Sequence, residues 1–291
     1  MKRLNLSWEI EEEHEGMLLR DYLYVVRGFS RRTIKHIKEN GELIVNGREE
    51  TVRYKLCQGD DLVIVFPEEH PAGNLQAEEM PLTIVYEDDL LLVLDKPAGV
   101  AVMPSMNHDV TIANGLVAYY QEKGLAATVH IVTRLDRDTS GLMLIAKHQY
   151  SHSLLARSKV QRTYGALVEG QLPTETGVID APISRKAGSI IEREVHADGK
   201  NAVTEYRVIE KFADHSFVEL KLQTGRTHQI RVHMAHEGCP LAGDDLYGGS
   251  RELVGRQALH CMRLHVKHPL TGQALEFTST FPADILHKVK R

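Results

Sequence analysis

Apolar residues follow two regimes along this chain, helical spacing near the N-terminus and short runs further on. Leu18, Leu19, Tyr22, Leu23 and Val26 recur on one helical face, which predicts a first helix. Ser30 is an N-cap for a second helix whose apolar face is Ile34 and Ile37 and which stops at Asn40-Gly41. Leu43-Ile44-Val45 then reads as a strand entering a hairpin turn at Asn46-Gly47. Residues 67–80 lack periodicity and hold two Pro, one Gly and four Glu, a linker composition. The expected organisation is a small unit over 1–66, a linker over 67–80 and a larger unit over 81–291.

In the larger unit, Leu82 to Tyr86 and Leu90 to Leu94 are β-rich runs separated by Glu87-Asp88-Asp89, a hairpin pattern. Lys96-Pro97-Ala98-Gly99 reads as a turn, and residues 111–121 as a helix packed by Ile112, Leu116 and Tyr119 or Tyr120. Leu142 to Ala146 is a continuous apolar run between Gly141 and Lys147, the signature of a buried strand. Residues 151–159 predict a helix with Leu154 and Leu155 inward, and 162–168 a strand carrying Tyr164. Residues 170–199 look loop-like, with strands expected at 202–209 and 217–222. Thr224-Gly225 is a helix start, and Gly238 with Pro240 a stop. Strands outnumber helices and do not alternate regularly with them, so the fold class is α+β with a mixed, mainly antiparallel sheet.

Composition narrows the partners. Hydrophobic residues at 42% and charged residues at 26% are ordinary globular values, and no apolar run approaches a membrane span. The basic N-terminal residues are followed by acidic ones rather than an apolar segment, so a signal peptide is not expected and a cytoplasmic protein, taken as a monomer, is. Cys57, Cys239 and Cys261 are far apart, which argues against a disulfide framework or a thiolate metal site. The net charge of −5 speaks against a uniformly basic nucleic-acid binder. Residues 16–48 invert that sign, with seven Lys/Arg against three Asp/Glu. Arg31, Arg32, Lys35 and Lys38 populate the polar face of the second helix there.

Chemistry concentrates in residues 130–147. Asp136, Asp138, Arg134, Arg137, Thr139 and Ser140 crowd the approach to the buried run, more polar groups than a turn made by Gly141 requires. Arg134-Leu135-Asp136, Thr139-Ser140-Gly141 and Ala146-Lys147 resemble the signature of the RluA-type pseudouridine synthases. Thr133 stands where that family usually has His. Asp95-Lys96-Pro97-x-Gly99, the block from Thr224 to His233, the block from Gly238 to Gly248, Leu259-His260 and His268-Pro269-x-Thr271-Gly272 resemble further family blocks in the same order. The pattern over about 16–66 resembles the S4 RNA-binding module.

The resemblance implies an isomerase that converts uridine to pseudouridine in structured RNA, with large-subunit ribosomal RNA as first expectation and transfer RNA as second. It implies Asp136 as nucleophile, Arg231 as its partner, Tyr164 as the active-site tyrosine and Arg134 as the residue that fills the place of the turned-out base. Arg31, Arg32, Lys35 and Lys38 are then RNA contacts. No cofactor and no metal are expected, since the reaction has no net redox change, adds no water, and the chain has no dinucleotide or phosphate-loop fingerprint.

Two other classes compete. Asp136-Arg137-Asp138-Thr139 resembles the nucleophile loop of haloacid-dehalogenase-type phosphatases, with Asp244-Asp245 as metal ligands, although Thr133-Arg134-Leu135 is not the apolar strand that loop follows. A non-catalytic RNA-binding protein is the other, opposed by the joint presence of Asp136, Tyr164 and Arg231. His228, His233 and His236 lack the spacing of a helical zinc pair and read as polar or RNA-facing residues.

Overall fold

The structure, a computed structural model, describes residues 3–69, 75–105, 110–283 and 285. Part of the expected linker, 70–74, and the outer limits at 1 and 291 lie outside the described residues.

The N-terminal part is built on a four-stranded antiparallel sheet: β1 (Asn5–Glu9), β2 (Glu42–Val45), β3 (Arg48–Glu49) and β4 (Asp61–Val65), in the order β1-β4-β2-β3. Asn46 and Gly47 both take positive φ, 51° and 74°, which fits the right-handed twist of the β2–β3 hairpin. The helical spacing at Leu18–Val26 produces a short α1 (Leu19–Asp21) that widens into a π-helical segment, Tyr22–Val26. The second helix, α2 (Arg31–Asn40), begins as its cap residue dictates, the Ser30 hydroxyl accepting from the Thr33 amide at 3.0 Å. Leu19, Tyr22, Leu23 and Ile37 pack on Leu62 and Ile64 in one apolar cluster. Strands β1 and β4 complete this sheet and were not expected from the sequence.

The larger sheet contains β5 (Thr83–Glu87), β6 (Leu91–Lys96), β7 (His130–Ile131), β8 (Ser140–Ala146), β9 (Gln161–Glu169), β10 (Thr176–Asp180), β13 (Val203–Lys211), β14 (His215–Leu222), β15 (Leu259–Lys267) and β16 (Ala274–Thr278). A separate hairpin, β11 (Ile183–Arg185) with β12 (Arg193–Val195), lies between β10 and β13 in the chain. The main order is β10-β13-β14-β9-β15-β8-β6-β5, antiparallel except for the parallel β8–β15 pair. This is the mixed, mainly antiparallel α+β architecture expected. The loop expected over 170–199 instead holds β10, β11 and β12, whose short, mostly exposed or half-buried strands give no apolar run to read.

Strand β8 is buried along its whole length, between β6 and β15. Gly141 is required there: it sits at φ 107°, and a Cβ would lie 2.4 Å from the Cys261 carbonyl oxygen of β15. Helix α3 (Ile112–Glu122) follows Thr111 as its N-cap, and α4 (Gln149–Leu155) starts and ends earlier than the expected 151–159. Helix α5 (Gln229–His236) starts five residues after Thr224. Residues 224–228 form a docked loop instead. The Thr224 hydroxyl accepts from the Val203 amide, and Gln229 Oε1 accepts from both the Thr224 hydroxyl and the Arg226 amide, each at 2.9 Å.

The two sheets meet through aromatic rings. Tyr150 of α4 stacks on Phe29 at 4.3 Å and Phe66 at 5.2 Å between centroids, and its hydroxyl donates to the Arg27 carbonyl. The described flanks of the expected linker are docked rather than free: Glu69 accepts from the Gln149 amide and bonds His130, both at 2.7 Å, while the Gln76 carbonyl accepts from Asn114. Among the described residues no helix is long and apolar enough to cross a membrane.

Candidate active site

Residues 132–139 cross the mouth of a cleft of about 660 Å³ lined by Asp136, Arg134, Tyr164, Arg162, His228 and Arg231 among others. The loop is pinned from several sides. Thr133, where the family motif has His, is buried, and its hydroxyl accepts from the Leu144 amide of β8 at 2.8 Å. Lys96 is fully buried and donates to the carbonyls of Pro97, Val100 and Arg137 at 2.7–2.9 Å. Burial pulls its pKa down to about 8, the charges of Asp138 and Asp136 acting the other way. Gln257 donates to the Thr139 hydroxyl at 2.6 Å, and Ser140 bonds His260 at 2.9 Å. Asp136 is thereby held at the turn while its side chain stays partly open, 27% exposed.

Arg231 reaches Asp136 from the buried face of α5, Nη1 donating to Oδ2 at 3.2 Å. Its tighter partner is Asp244: Nε and Nη2 each donate to one carboxylate oxygen at 2.7 Å, the bidentate fork of an arginine–carboxylate pair. The expectation of a simple Arg231–Asp136 pair is therefore revised to a shared guanidinium between two carboxylates. Burial works to lower the Arg231 pKa, but the bonds and charges of Asp244 and Asp136 outweigh it and raise it, so Arg231 stays charged. Its guanidinium also lies 4.9 Å over the Tyr247 ring.

His228, immediately before α5, adopts a left-handed conformation at φ 57° that turns its ring toward the loop. Nδ1 is 2.8 Å from the Tyr247 hydroxyl, which itself accepts from the Arg193 amide at 3.0 Å. The hydroxyl proton then goes to Nδ1, leaving Nε2–H toward Asp136 at 3.8 Å, beyond hydrogen-bond range. Burial lowers the His228 pKa against the pull of Asp136, which agrees with this neutral ring. Tyr164 is buried on β9, and burial first, then the nearby Cys261, raises its phenol well above the ordinary value. It enters the cleft protonated at neutral pH.

The sequence-derived residues divide in two. Asp136, Tyr164, Arg231 and Arg134 line one cleft, with Arg134 exposed at its rim. Arg31, Arg32, Lys35 and Lys38 all lie on α2, outside that cleft. Asp244, His228, Tyr247 and Arg162 were not singled out for this site; Asp244 is 13 residues from Arg231, a separation without a helical or strand period to reveal it. The phosphatase reading fails on geometry. Asp244, expected there as a metal ligand, is buried and gripped by both arms of the Arg231 fork. The buried ring of His233 bonds Thr204 and the Ala181 carbonyl, a structural role rather than an RNA-facing one.

Residues 90–236 match the RNA pseudouridylate synthase family, and the chain belongs to it. It is 48% identical, over 90% of its length and 95% of the relative, to the uncharacterized RNA pseudouridine synthase YjbO of Bacillus subtilis (strain 168). It is 38% identical, over 100% of its length and 95% of the relative, to ribosomal large subunit pseudouridine synthase D of Pasteurella multocida (strain Pm70). Among solved structures, human RNA pseudouridylate synthase domain containing 1 superposes with a TM-score of 0.58 at 25% identity, covering 72% of this chain and 85% of that one.

Proposed function

We propose that this protein isomerises uridine to pseudouridine in large-subunit ribosomal RNA, with Asp136 as the reacting carboxylate. The observation that carries the reading is a partly exposed Asp136 at the mouth of the cleft, oriented by a guanidinium that a second, buried carboxylate holds in place. A carboxylate needs no separate base to act as nucleophile. Attack of Asp136 on C1′ breaks the N1–C1′ bond, and the bonding pair leaves with the uracil ring. The ring turns, C5 bonds to C1′ as the carboxylate departs, the C5 proton is lost and N1 gains one. Atoms and charge balance without oxidant, reductant or water, so the reaction calls for no cofactor or metal.

Tyr164 offers an aromatic face to the detached ring, and its protonated phenol leaves removal of the C5 proton to another group until it is itself deprotonated. Arg134, at the exposed rim, occupies the space vacated when the target base is turned out of its stack. The cations of α2 bind RNA phosphates, and the unit over 1–66 acts as an S4-type RNA-binding domain joined by 67–80 to the catalytic unit. The protein acts as a cytoplasmic monomer.

The test is an unmodified large-subunit ribosomal RNA transcript incubated with purified protein, pseudouridine being read by nucleoside mass spectrometry. The expected result is product with the intact protein and none with Asp136→Ala. Product from transfer RNA but none from the ribosomal transcript would move the substrate assignment.

A further inference from the structure

Resting on that reading, we propose that Arg162 is a substrate-contacting residue that binds a carbonyl oxygen of the target uracil and stabilises the charge the ring carries when N1 leaves C1′. Arg162 and Tyr164 are two residues apart on β9 and therefore share a face, and both line the Asp136 cleft. The Arg162 Nε is buried with no hydrogen-bond partner among the described residues; the guanidinium bonds the Tyr164 phenol, but no carboxylate of the described residues pairs with it. Arg231, by contrast, is saturated by Asp244 and Asp136. The cleft thus holds one guanidinium committed to protein carboxylates and one that is not.

A second observation fixes where that guanidinium lies. Gly225 faces it so closely that a Cβ there would sit 2.9 Å from Arg162 Nη2, and Gly225 is not a left-handed position that demands glycine for its backbone. A side chain at position 225 would therefore press on the end of the Arg162 guanidinium and shift it. Held between the exposed Gly225 and the strand bearing Tyr164, the guanidinium is half-buried in the same cleft as the Tyr164 ring, whereas Arg134 is exposed at the rim.

The chemistry requires such a group. Departure of N1 with the bonding pair leaves negative charge shared among N1 and the two ring oxygens, and a preorganised donor aimed at charge that develops in the transition state lowers the barrier. Uracil carbonyls accept and do not donate, which suits a side chain that carries only donors.

The experiment compares the full-length protein with Arg162→Met, Arg162→Lys, Gly225→Ala and the double variant, under single turnover at saturating enzyme on the ribosomal RNA transcript. RNA affinity, its salt dependence and melting temperature are measured in parallel. Arg162→Met should slow pseudouridine formation about 100-fold with RNA affinity and salt slope unchanged. Arg162→Lys, which keeps the charge without the fork, should recover part of that loss. Gly225→Ala should slow the wild-type background but add nothing in the Arg162→Met background. A wild-type rate for Arg162→Met overturns the proposal. So does an unchanged saturated rate with weaker binding and a shallower salt slope, which would make Arg162 a phosphate contact. Additive effects in the double variant overturn the pairing with Gly225. If the intact protein itself makes no pseudouridine, it is the functional reading that has failed.

Discussion

Two regions of this molecule carry most of its informative charge, and they use it in opposite ways. Around Asp136 a core of charged groups is buried or half-buried and committed to protein partners: Asp244 grips Arg231, Arg231 reaches Asp136, and Lys96 donates three bonds to loop carbonyls. On α2, Arg31, Arg32, Lys35 and Lys38 face solvent, and their interactions are loose, such as Lys35 to Glu39 at 3.8 Å and Arg31 over the Tyr24 ring at 5.6 Å. Buried charge needs a partner and so fixes geometry, whereas exposed charge is weakly held and remains available to polyanions. The first arrangement suits bond making at one atom, the second a phosphate backbone of variable course.

Substitutions at the buried network should therefore have the largest effects. Arg231→Met leaves the buried Asp244 and the partly open Asp136 without their cation, and breaking such a pair costs about 3–5 kcal/mol, most of it at Asp244. Pseudouridine formation should fall about 1,000-fold or more and the melting temperature should drop; Arg231→Lys should restore charge but little activity, because it cannot grip both carboxylates. Asp244→Asn should cost less, about 100-fold, since the amide still accepts one bond from Arg231. If Asp244→Asn were as active as the intact protein, the buried carboxylate would have no positioning role.

Exposed charge should answer to salt instead. Replacing Arg31, Arg32, Lys35 and Lys38 together by Ser should weaken RNA binding and make the plot of log affinity against log salt shallower, by about 0.7–0.9 for each phosphate no longer neutralised. The saturated rate and melting temperature should hardly change. An unaltered slope would mean that α2 does not meet RNA.

The smallest effect on activity lies outside both regions and is read as stability against pH. Burial lowers the His148 pKa to about 4, and Glu69, close by, is also lowered, the bonds from His130 and Gln149 overcoming its burial. Below the unfolded histidine value of 6.5 the unfolded chain takes up a proton that the folded chain refuses, so stability falls with pH until about 4. That gap corresponds to on the order of 3 kcal/mol. Glu69 adds a decline of the same sign at the acidic end. His148→Gln should flatten the fall in melting temperature between pH 6.5 and 4, and an unchanged profile would remove His148 as its cause.

The same contrast explains what the sequence disclosed. Features set by neighbouring residues were legible: the Ser30 cap, the Asn46-Gly47 hairpin, and the unbroken apolar run that became β8. Asp136, Tyr164 and Arg231 were reached through resemblance, and the cleft brings them together. Long-range features were not legible. The late start of α5 is decided by Thr224 and Gln229 bonding β13 rather than by helix signals. Strand β16 alternates exposed and half-buried residues at a sheet edge, and β11 and β12 have three residues each. Asp244 lies in a loop whose place beside Arg231 only the folded chain defines.

The most direct test of the central claim is the fate of Asp136→Asn, an isosteric change that keeps a side-chain oxygen for Arg231 but removes the nucleophilic charge. Pseudouridine formation is measured under single turnover on the unmodified ribosomal RNA transcript, alongside RNA binding. The account predicts binding within about twofold of the intact protein and a rate reduced by about 10,000-fold or more. A rate within about tenfold of the intact protein, with binding preserved, would contradict it and place the reacting group elsewhere in the cleft.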